Sequence, residues 1–291
     1  LPLQGFCKRA MSRLKTCTRA SALFFAIALC GIVAPSLYAG EDGLRPFTLV
    51  LDPGHGGKDY GCTGRSAKEK TIVLDVATRL GRMIDKRYAD SVDVVYTRKD
   101  DSFISLQDRA AKANEAGGDL FISIHVNSLD RRNRNRAKIH GASVYTVGLH
   151  KSESNLEVAM RENAVIELEG EDAEEIYQGF DPNSTESYII FELSQSAHLQ
   201  NSLEMASLAQ EALVDHAGRA DKGIRQAGFW VLWATGMPSV LVELDFICNP
   251  DAEKFLNTAS GRQKCAEALF EAFGKYFGRH SEIRRHSNQK Y

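Results

Sequence analysis

Two histidines and two glutamates in this chain stand where the backbone turns or a run of apolar residues stops. His55 lies at the tip of Asp52-Pro53-Gly54-His55-Gly56-Gly57. The run Phe47, Thr48, Leu49, Val50, Leu51 leads into that tip and breaks at Asp52-Pro53-Gly54, the pattern of a buried strand ending in a sharp turn. Glycines on both sides let the backbone bend tightly and leave room for another group to approach the imidazole. Glu69 closes the polar, glycine-rich loop of residues 58–70, just before a helical pattern. His125 ends Leu120-Phe121-Ile122-Ser123-Ile124-His125, and Glu243 ends Val240-Leu241-Val242-Glu243. The carboxyl ends of strands are where open α/β sheets place ligands. Neighbouring strands lie about 4.8 Å apart, so such ends can reach a common point.

Two imidazoles and one carboxylate (His55, His125 and Glu69) form a catalytic zinc set with a fourth position left for water. Zinc brings no redox chemistry and lowers the pKa of its bound water to about 7. Glu243 then has a separate role, because a carboxylate beside that water can take its proton and hand it to a leaving nitrogen. Each residue taken singly has another reading. His125 can be a satisfied core histidine. Glu69 can be a first-turn helix acid facing the dipole. Glu243 can pair with a buried arginine, Arg98 or Arg109, since an unpaired buried charge is costly. The metal reading rests on all four arriving together.

The elements that must position them follow from periodicity. Ile72, Val73, Val76, Leu80, Met83 and Ile84 recur at helical spacing. Residues 92–97 read as a second strand, 106–116 as a helix stopped by Gly117-Gly118, 120–125 as a third strand and 142–147 as a fourth. Such alternation implies right-handed crossovers and an α/β fold, its twisted sheet mainly parallel and covered by helices on both faces. Residues 148–186 break the rhythm with eleven acids against Lys151 and Arg161, an acidic helical insertion. Beyond it, residues 187–217 read as one long helix with Ile190 and Leu193 among its inward positions, 229–233 and 239–244 as strands, 251–256 as a short helix, and 261–277 as the last helix. A polar tail from Arg279 is expected to fray.

Residues 1–39 carry Lys8, Arg9, Arg13, Lys15 and Arg19 but no acid. Met11 as start, an apolar stretch from Ala20 to Ala34 and a small-residue cut at Ala39-Gly40 describe an export signal. Its apolar stretch is too short to span a bilayer comfortably, so no stable membrane insertion is expected after cleavage. Without those five cations the formal charge of −2 falls to about −7, which argues against nucleic acid as a partner. Cleavage leaves Cys62, Cys248 and Cys265, an odd number with no CxxC, so no disulfide scaffold. Export permits one bridge, and Cys62–Cys248 is the pair to test; two buried thiols are the alternative.

The string from Leu51 to Gly57, the Glu69-Lys70 pair, Tyr96-Thr97-Arg98, Phe121 to Asn127 and Met237 to Glu243 together resemble the zinc-dependent N-acetylmuramoyl-L-alanine amidases of bacterial cell-wall turnover, the amidase-3 family. The resemblance runs in order over residues 47–277. It implies one zinc held by His55, Glu69 and His125, Glu243 as catalytic glutamate, peptidoglycan as substrate, and cleavage of the amide between N-acetylmuramic acid and L-alanine of the stem peptide. Asp245 and Cys248 stand where members often carry Gly and Ser, and Cys62 lies between two ligands. Division-linked members carry an insertion at this place that lies over the site and gives a glutamate to the zinc until an activator protein pulls it away. Glu162 falls where that glutamate is expected, with Glu167 and Glu169 as alternatives and a solvated acidic helix as the other reading. A periplasmic location follows from the same likeness. A zinc peptidase cutting within the stem and an inactive wall-binding protein are the alternative functions.

Overall fold

The computed structural model describes residues 45–288 except 149, 151, 171–172, 190 and 192–196. The expected export signal and helix positions Ile190 and Leu193 therefore lie outside the described residues. Strands β1 (Phe47–Pro53), β2 (Val92–Tyr96), β3 (Leu120–Asn127), β4 (Ala142–Val147), β5 (Asp221–Ala227) and β6 (Ser239–Phe246) form one sheet in the order β2-β1-β3-β6-β4-β5. All neighbours are parallel except β4 and β6. The sheet is thus mixed and mainly parallel.

Period-two alternation divides the strands between two cores. Leu49, Leu51, Ile122, Ile124, Val240, Val242 and Leu244 face the first core. There they meet α1 (Glu69–Tyr88), α5 (Leu199–Asp215) and α8 (Ala259–Asn288). Val50, Phe121, Tyr145 and Leu241 face the second core. That side is covered by α2 (Leu106–Glu115), α3 (Glu153–Asn163), the short α4 (Ala173–Ile176) and α6 (Trp230–Trp233). The same alternation carries Asp52, Ser123, His125 and Glu243 to the second face, at the carboxyl ends of their strands. Each fully buried aliphatic side chain contributes about 1.5–3 kcal/mol by leaving water, so a one-residue slip that turned these polar groups inward would be strongly opposed.

Local signals set the element ends. Ser105 caps α2 by accepting from the Asp108 amide at 2.9 Å. Asn249 caps α7 (Pro250–Asn257), accepting from Asp251 and Ala252 amides at 2.8 and 3.0 Å, with Pro250 at the first helical position.

Three elements differ from the sequence expectation. Residues 230–233 form a helical turn, and β5 is instead the polar segment 221–227. This strand pairs only with β4, and an edge strand needs no apolar run. The long helix starts at Leu199; residues 185–188 are a 3₁₀ turn whose Tyr188 is buried against Phe180 and Phe191. That aromatic cluster, with Tyr177 and Trp230, joins the insertion to the second core. The last helix continues through Asn288, so residues 279–288 of the expected tail are helical. Cys62, Cys248 and Cys265 are free thiols, the first two half-buried and the third buried.

Asp52 ties the strands together beneath the site. It accepts from Arg109 Nη1 (2.7 Å), Thr97 Oγ1 (2.6 Å) and Ser123 Oγ (2.7 Å). Burial alone would raise its pKa; the Arg109 charge and these donors bring it below the usual value. A depressed folded pKa contributes stability that is present above the unfolded value and lost as pH falls through the folded one. Asp52→Asn should therefore cost about 3–5 kcal/mol at pH 7, the cost of breaking a buried pair. In urea titrations the gap to wild type should close below about pH 4, where an unfolded Asp takes up its proton.

Candidate metal centre

The loop after β1 is held by two guanidinium groups. Arg98 donates to the carbonyls of Pro53 (2.9 Å), Gly54 (2.7 Å) and Lys70 (2.9 Å). Arg109 donates to Pro53 O (2.9 Å) and His55 O (2.6 Å). Neither arginine pairs with Glu243, the alternative partner the sequence left open for that glutamate. So held, His55 adopts the left-handed conformation at φ 59°, a strained state for a side-chain-bearing residue that persists only where surrounding structure fixes it. Two glycines allow the close approach that follows. A Cβ on Gly54 would lie 2.4 Å from the His125 ring, and one on Gly61 2.5 Å from the His55 ring.

Four side chains converge above this loop. His55 Nε2 lies 3.1 Å from Glu69 Oε1 and 3.2 Å from Glu162 Oε2. His125 Nδ1 lies 3.1 Å from Glu69 Oε1 and 3.0 Å from Glu162 Oε2. All four residues are buried, and one donor atom from each falls within 4.8 Å of the others. A tetrahedral centre with bonds of about 2.0–2.1 Å spaces its donors about 3.3 Å apart, so these four separations suit a metal ion. Outside the cluster itself, buried His55 Nε2 and Glu162 Oε2 have no hydrogen-bond partner, and buried polar atoms normally have partners. Nitrogen and carboxylate donors in this number suit zinc among the common divalent ions.

The carboxylates call for positive charge in their midst. Burial disfavours protonated imidazole, yet the Glu69 charge and bonds from Asp59, Glu162 and Glu69 put His55 well above its ordinary value. His125 is pushed up to about 9, burial being outweighed by the Glu162 charge and by bonds to Glu162 and Glu69. Glu69 is held down to about 2: burial would raise it, but the His55 charge and bonds to both imidazoles prevail.

Glu69 opens α1 and is also held by the amides of Cys62 (2.6 Å) and Val126 (2.8 Å). Glu243 stands beside His125 in the β3–β6 register. It is wholly buried, and neither carboxylate oxygen has a hydrogen bond. Burial first, and the Glu162 charge second, push its pKa up to about 8. Arg161 Nη2 lies 3.6 Å from Glu243 Oε1.

Glu162 and its neighbours come from the end of α3. Arg161 also donates to Ser128 O (2.9 Å) and Asn127 Oδ1 (3.1 Å). Asn163 donates to Gly228 O (2.8 Å) and Tyr188 Oη (3.1 Å) and accepts from the Trp230 amide (3.0 Å). Three consecutive side chains thus cover Glu243, face the imidazoles and anchor the helix end. The alternatives are engaged elsewhere: Glu167 accepts from Asn183 at 2.5 Å, and Glu169 accepts from the Leu106 amide at 2.9 Å and Tyr177 Oη at 2.5 Å.

Sequence reasoning missed Asp59 and Asn163. Asp59 Oδ2 accepts a hydrogen bond from His55 Nδ1–H at 2.7 Å, favouring the tautomer that turns the Nε2 lone pair toward the cluster, as carboxylates behind ligating histidines commonly do. Its position four residues after His55 was a signal, hidden because the intervening loop looks unstructured.

The family model described as Amidase_3, N-acetylmuramoyl-L-alanine amidase, matches residues 49–275. Escherichia coli N-acetylmuramoyl-L-alanine amidase AmiA is 34% identical over 245 residues, 83% of this chain and 80% of that protein. E. coli AmiC is 34% identical over 247 residues, 82% of this chain and 54% of its own length, so the chain spans about half of AmiC. The solved N-acetylmuramoyl-L-alanine amidase of Clostridium difficile 630 shares the fold, with a TM-score of 0.58 at 24% identity over 80% of this chain and 97% of that one.

Calorimetric titration of the metal-depleted chain with Zn2+ checks the cluster. The expected stoichiometry is one ion per chain, lost in His125→Ala. Asp59→Ala should keep the site but weaken it about 10- to 100-fold, the usual effect of removing a group behind a ligand.

Proposed function

This chain belongs to the Amidase_3 family of N-acetylmuramoyl-L-alanine amidases, and from that premise we propose that His55, Glu69 and His125 hold one zinc ion while Glu243 carries the proton. The chain is a peptidoglycan amidase, and the bond it cuts joins N-acetylmuramic acid to L-alanine of the stem peptide. The observation that carries the site assignment is the convergence of four buried donors at 3.0–3.2 Å. When bound, zinc supplies Lewis acidity to the amide carbonyl and makes water a nucleophile near neutral pH.

The residues do the rest. Glu243 is wholly buried with no hydrogen bond to either carboxylate oxygen, which leaves it free to exchange a proton with the reacting groups. Its carboxylate takes a proton as water oxygen bonds to the amide carbon. It returns that proton to the nitrogen as the carbon–nitrogen bond breaks, leaving a lactyl carboxylate and the free amine of L-alanine. Asp59 keeps His55 Nδ1 protonated, so Nε2 keeps its lone pair for the metal. Arg98 and Arg109 keep the His55 loop from moving between cycles.

We read the described arrangement as the closed state. Glu162 fills the fourth position and Arg161 covers Glu243, so neither water nor substrate reaches the reacting groups. An activator protein that withdraws residues 148–186 would open both at once. Export through the signal at residues 1–39, action in the periplasm and a part in daughter-cell separation belong to the same proposal. Among the described residues no helix is long and apolar enough to cross a membrane.

Mass spectrometry of purified sacculi digested by the chain tests this. Stem peptides beginning with L-alanine should appear, and a chelator should suppress them. Glu243→Gln should lose about 10²–10⁴ of the rate, the usual share of general acid–base catalysis, while still binding zinc. Glu162→Ala should be faster than wild type, on the order of tenfold, within the usual range of coupling between sites. Equal or lower activity of folded Glu162→Ala contradicts the closed-state reading. Shortened stems still joined to glycan would make the enzyme a peptidase instead.

A further inference from the structure

A groove of about 750 Å³ opens beside the metal cluster. Arg161 and Cys62 line its inner end, and both touch the site: Arg161 at Glu243, Cys62 through its amide to Glu69. From there it runs under the loop of residues 129–139 to β5. Arg131 and Arg136 line it from the loop, Lys222 and Arg225 from the strand. None of these four forms an ion pair with a carboxylate among the described residues. Arg225 donates to Lys222 O and Asn155 Oδ1 (3.1 and 3.0 Å), and Arg136 to Leu129 O (2.5 Å); all are neutral acceptors.

Two acids, Asp130 and Glu157, also line the groove, against these four cations and Arg161. Asp130 accepts from the Arg132 amide of its own loop at 2.8 Å and forms no ion pair with the four cations. Glu157 lies on α3, and no ion pair joins it to the four cations. The chain has a net charge of −2 overall, so a run of unpaired cations at the door of the site is a local feature. The loop is also built in advance. Asn133 Oδ1 accepts from the Asn135 amide at 2.9 Å, and Asn249 Nδ2 holds Ala137 O at 3.1 Å. Such side-chain-to-backbone bonds fix turns without help from a ligand.

We infer that this groove binds the peptide side of the substrate by its carboxylates, and that Arg131, Arg136, Lys222 and Arg225 make the enzyme selective for acidic over amidated stems. The inference rests on the amidase reading of the metal centre. Of the two arms that meet at the scissile amide, the glycan is uncharged. The peptide carries a free α-carboxylate wherever glutamate is linked through its γ-carboxyl, and further carboxylates beyond it. A row of cations leading away from the site fits only the second arm. Charge-assisted bonds to carboxylate are stronger than neutral ones, and arginine can present paired donors to each.

The test uses the wild-type chain and Arg131→Gln/Lys222→Gln, both altered side chains being at least partly solvent-accessible. Calorimetry compares L-Ala-γ-D-Glu-diaminopimelate with the same tripeptide carrying carboxamides. The acidic peptide should bind wild type about tenfold more tightly, the sum expected of two partly exposed ion pairs, and the preference should vanish in the double variant and weaken with salt. In Glu162→Ala the same preference should appear in kcat/KM on muramyl tripeptides of both kinds. Equal affinity for the two peptides, no binding of either at millimolar concentration, or a preference untouched in the folded double variant overturns the inference. Amide cleavage with no preference would end the groove's role and leave the amidase reading intact. Selective binding without any amide cleavage would do the reverse.

Discussion

Everything at this site depends on one constraint: three successive carbonyls at the end of β1, those of Pro53, Gly54 and His55, must be held by Arg98 and Arg109. Without those donors the carbonyls would be buried unpaired, each costing about 1–3 kcal/mol. The left-handed turn at His55 would then have nothing to oppose its relaxation. Arg109 is itself fixed by Asp52, and Asp52 by Thr97 and Ser123 on the flanking strands. The sheet's register is thereby passed to the imidazole through charge-assisted bonds. The proposed metal centre would demand this rigidity, because donor atoms of a metal site tolerate only small displacements.

The second consequence concerns charge. Glu69, Glu162 and Glu243 are all buried at one place, with Asp59 just behind. In a medium of low dielectric such a group is tenable only with cations among it. Arg161 supplies one, and the imidazoles can supply others by taking protons. A metal ion supplies two charges without protonating its ligands. The insertion's Arg161-Glu162 pair brings one charge of each sign, which makes its burial less costly than that of Glu162 alone. The aromatic cluster of Tyr177, Phe180, Tyr188, Phe191 and Trp230 supplies apolar contact between the insertion and the second core.

Much of this is legible in the chain itself. The Asp-Pro-Gly-His-Gly-Gly tip, the strand ends at His125 and Glu243, and Glu69 at the start of α1 all follow from local pattern, and the structure puts them side by side. Glu162 could be singled out only by likeness, since one acid among eleven carries no signal of its own. Strand β5 was missed because an edge strand of Asp, Lys, Gly, Arg and Gln has no apolar period, while Phe229 to Trp233 has the composition of a strand and the packing of a helical turn. Tertiary contacts, those of Tyr188 with Phe180 and Phe191 above all, also set a 3₁₀ turn over residues 185–188 where the pattern reads as the start of the long helix. Asp59 and the two arginines act through backbone carbonyls and a ring nitrogen, and such partners leave no periodicity to read.

The central claim is that four protein donors, two imidazoles and two carboxylates, close around one ion in the resting chain. X-ray absorption at the zinc edge of the fully loaded chain tests it most directly. The account predicts about four nitrogen and oxygen neighbours near 2.0–2.1 Å with two imidazole signatures. It also predicts a gain of solvent-exchangeable oxygen in Glu162→Ala. A sulfur neighbour at about 2.3 Å, which would put Cys62 on the metal, or an unchanged shell in the variant, would contradict it.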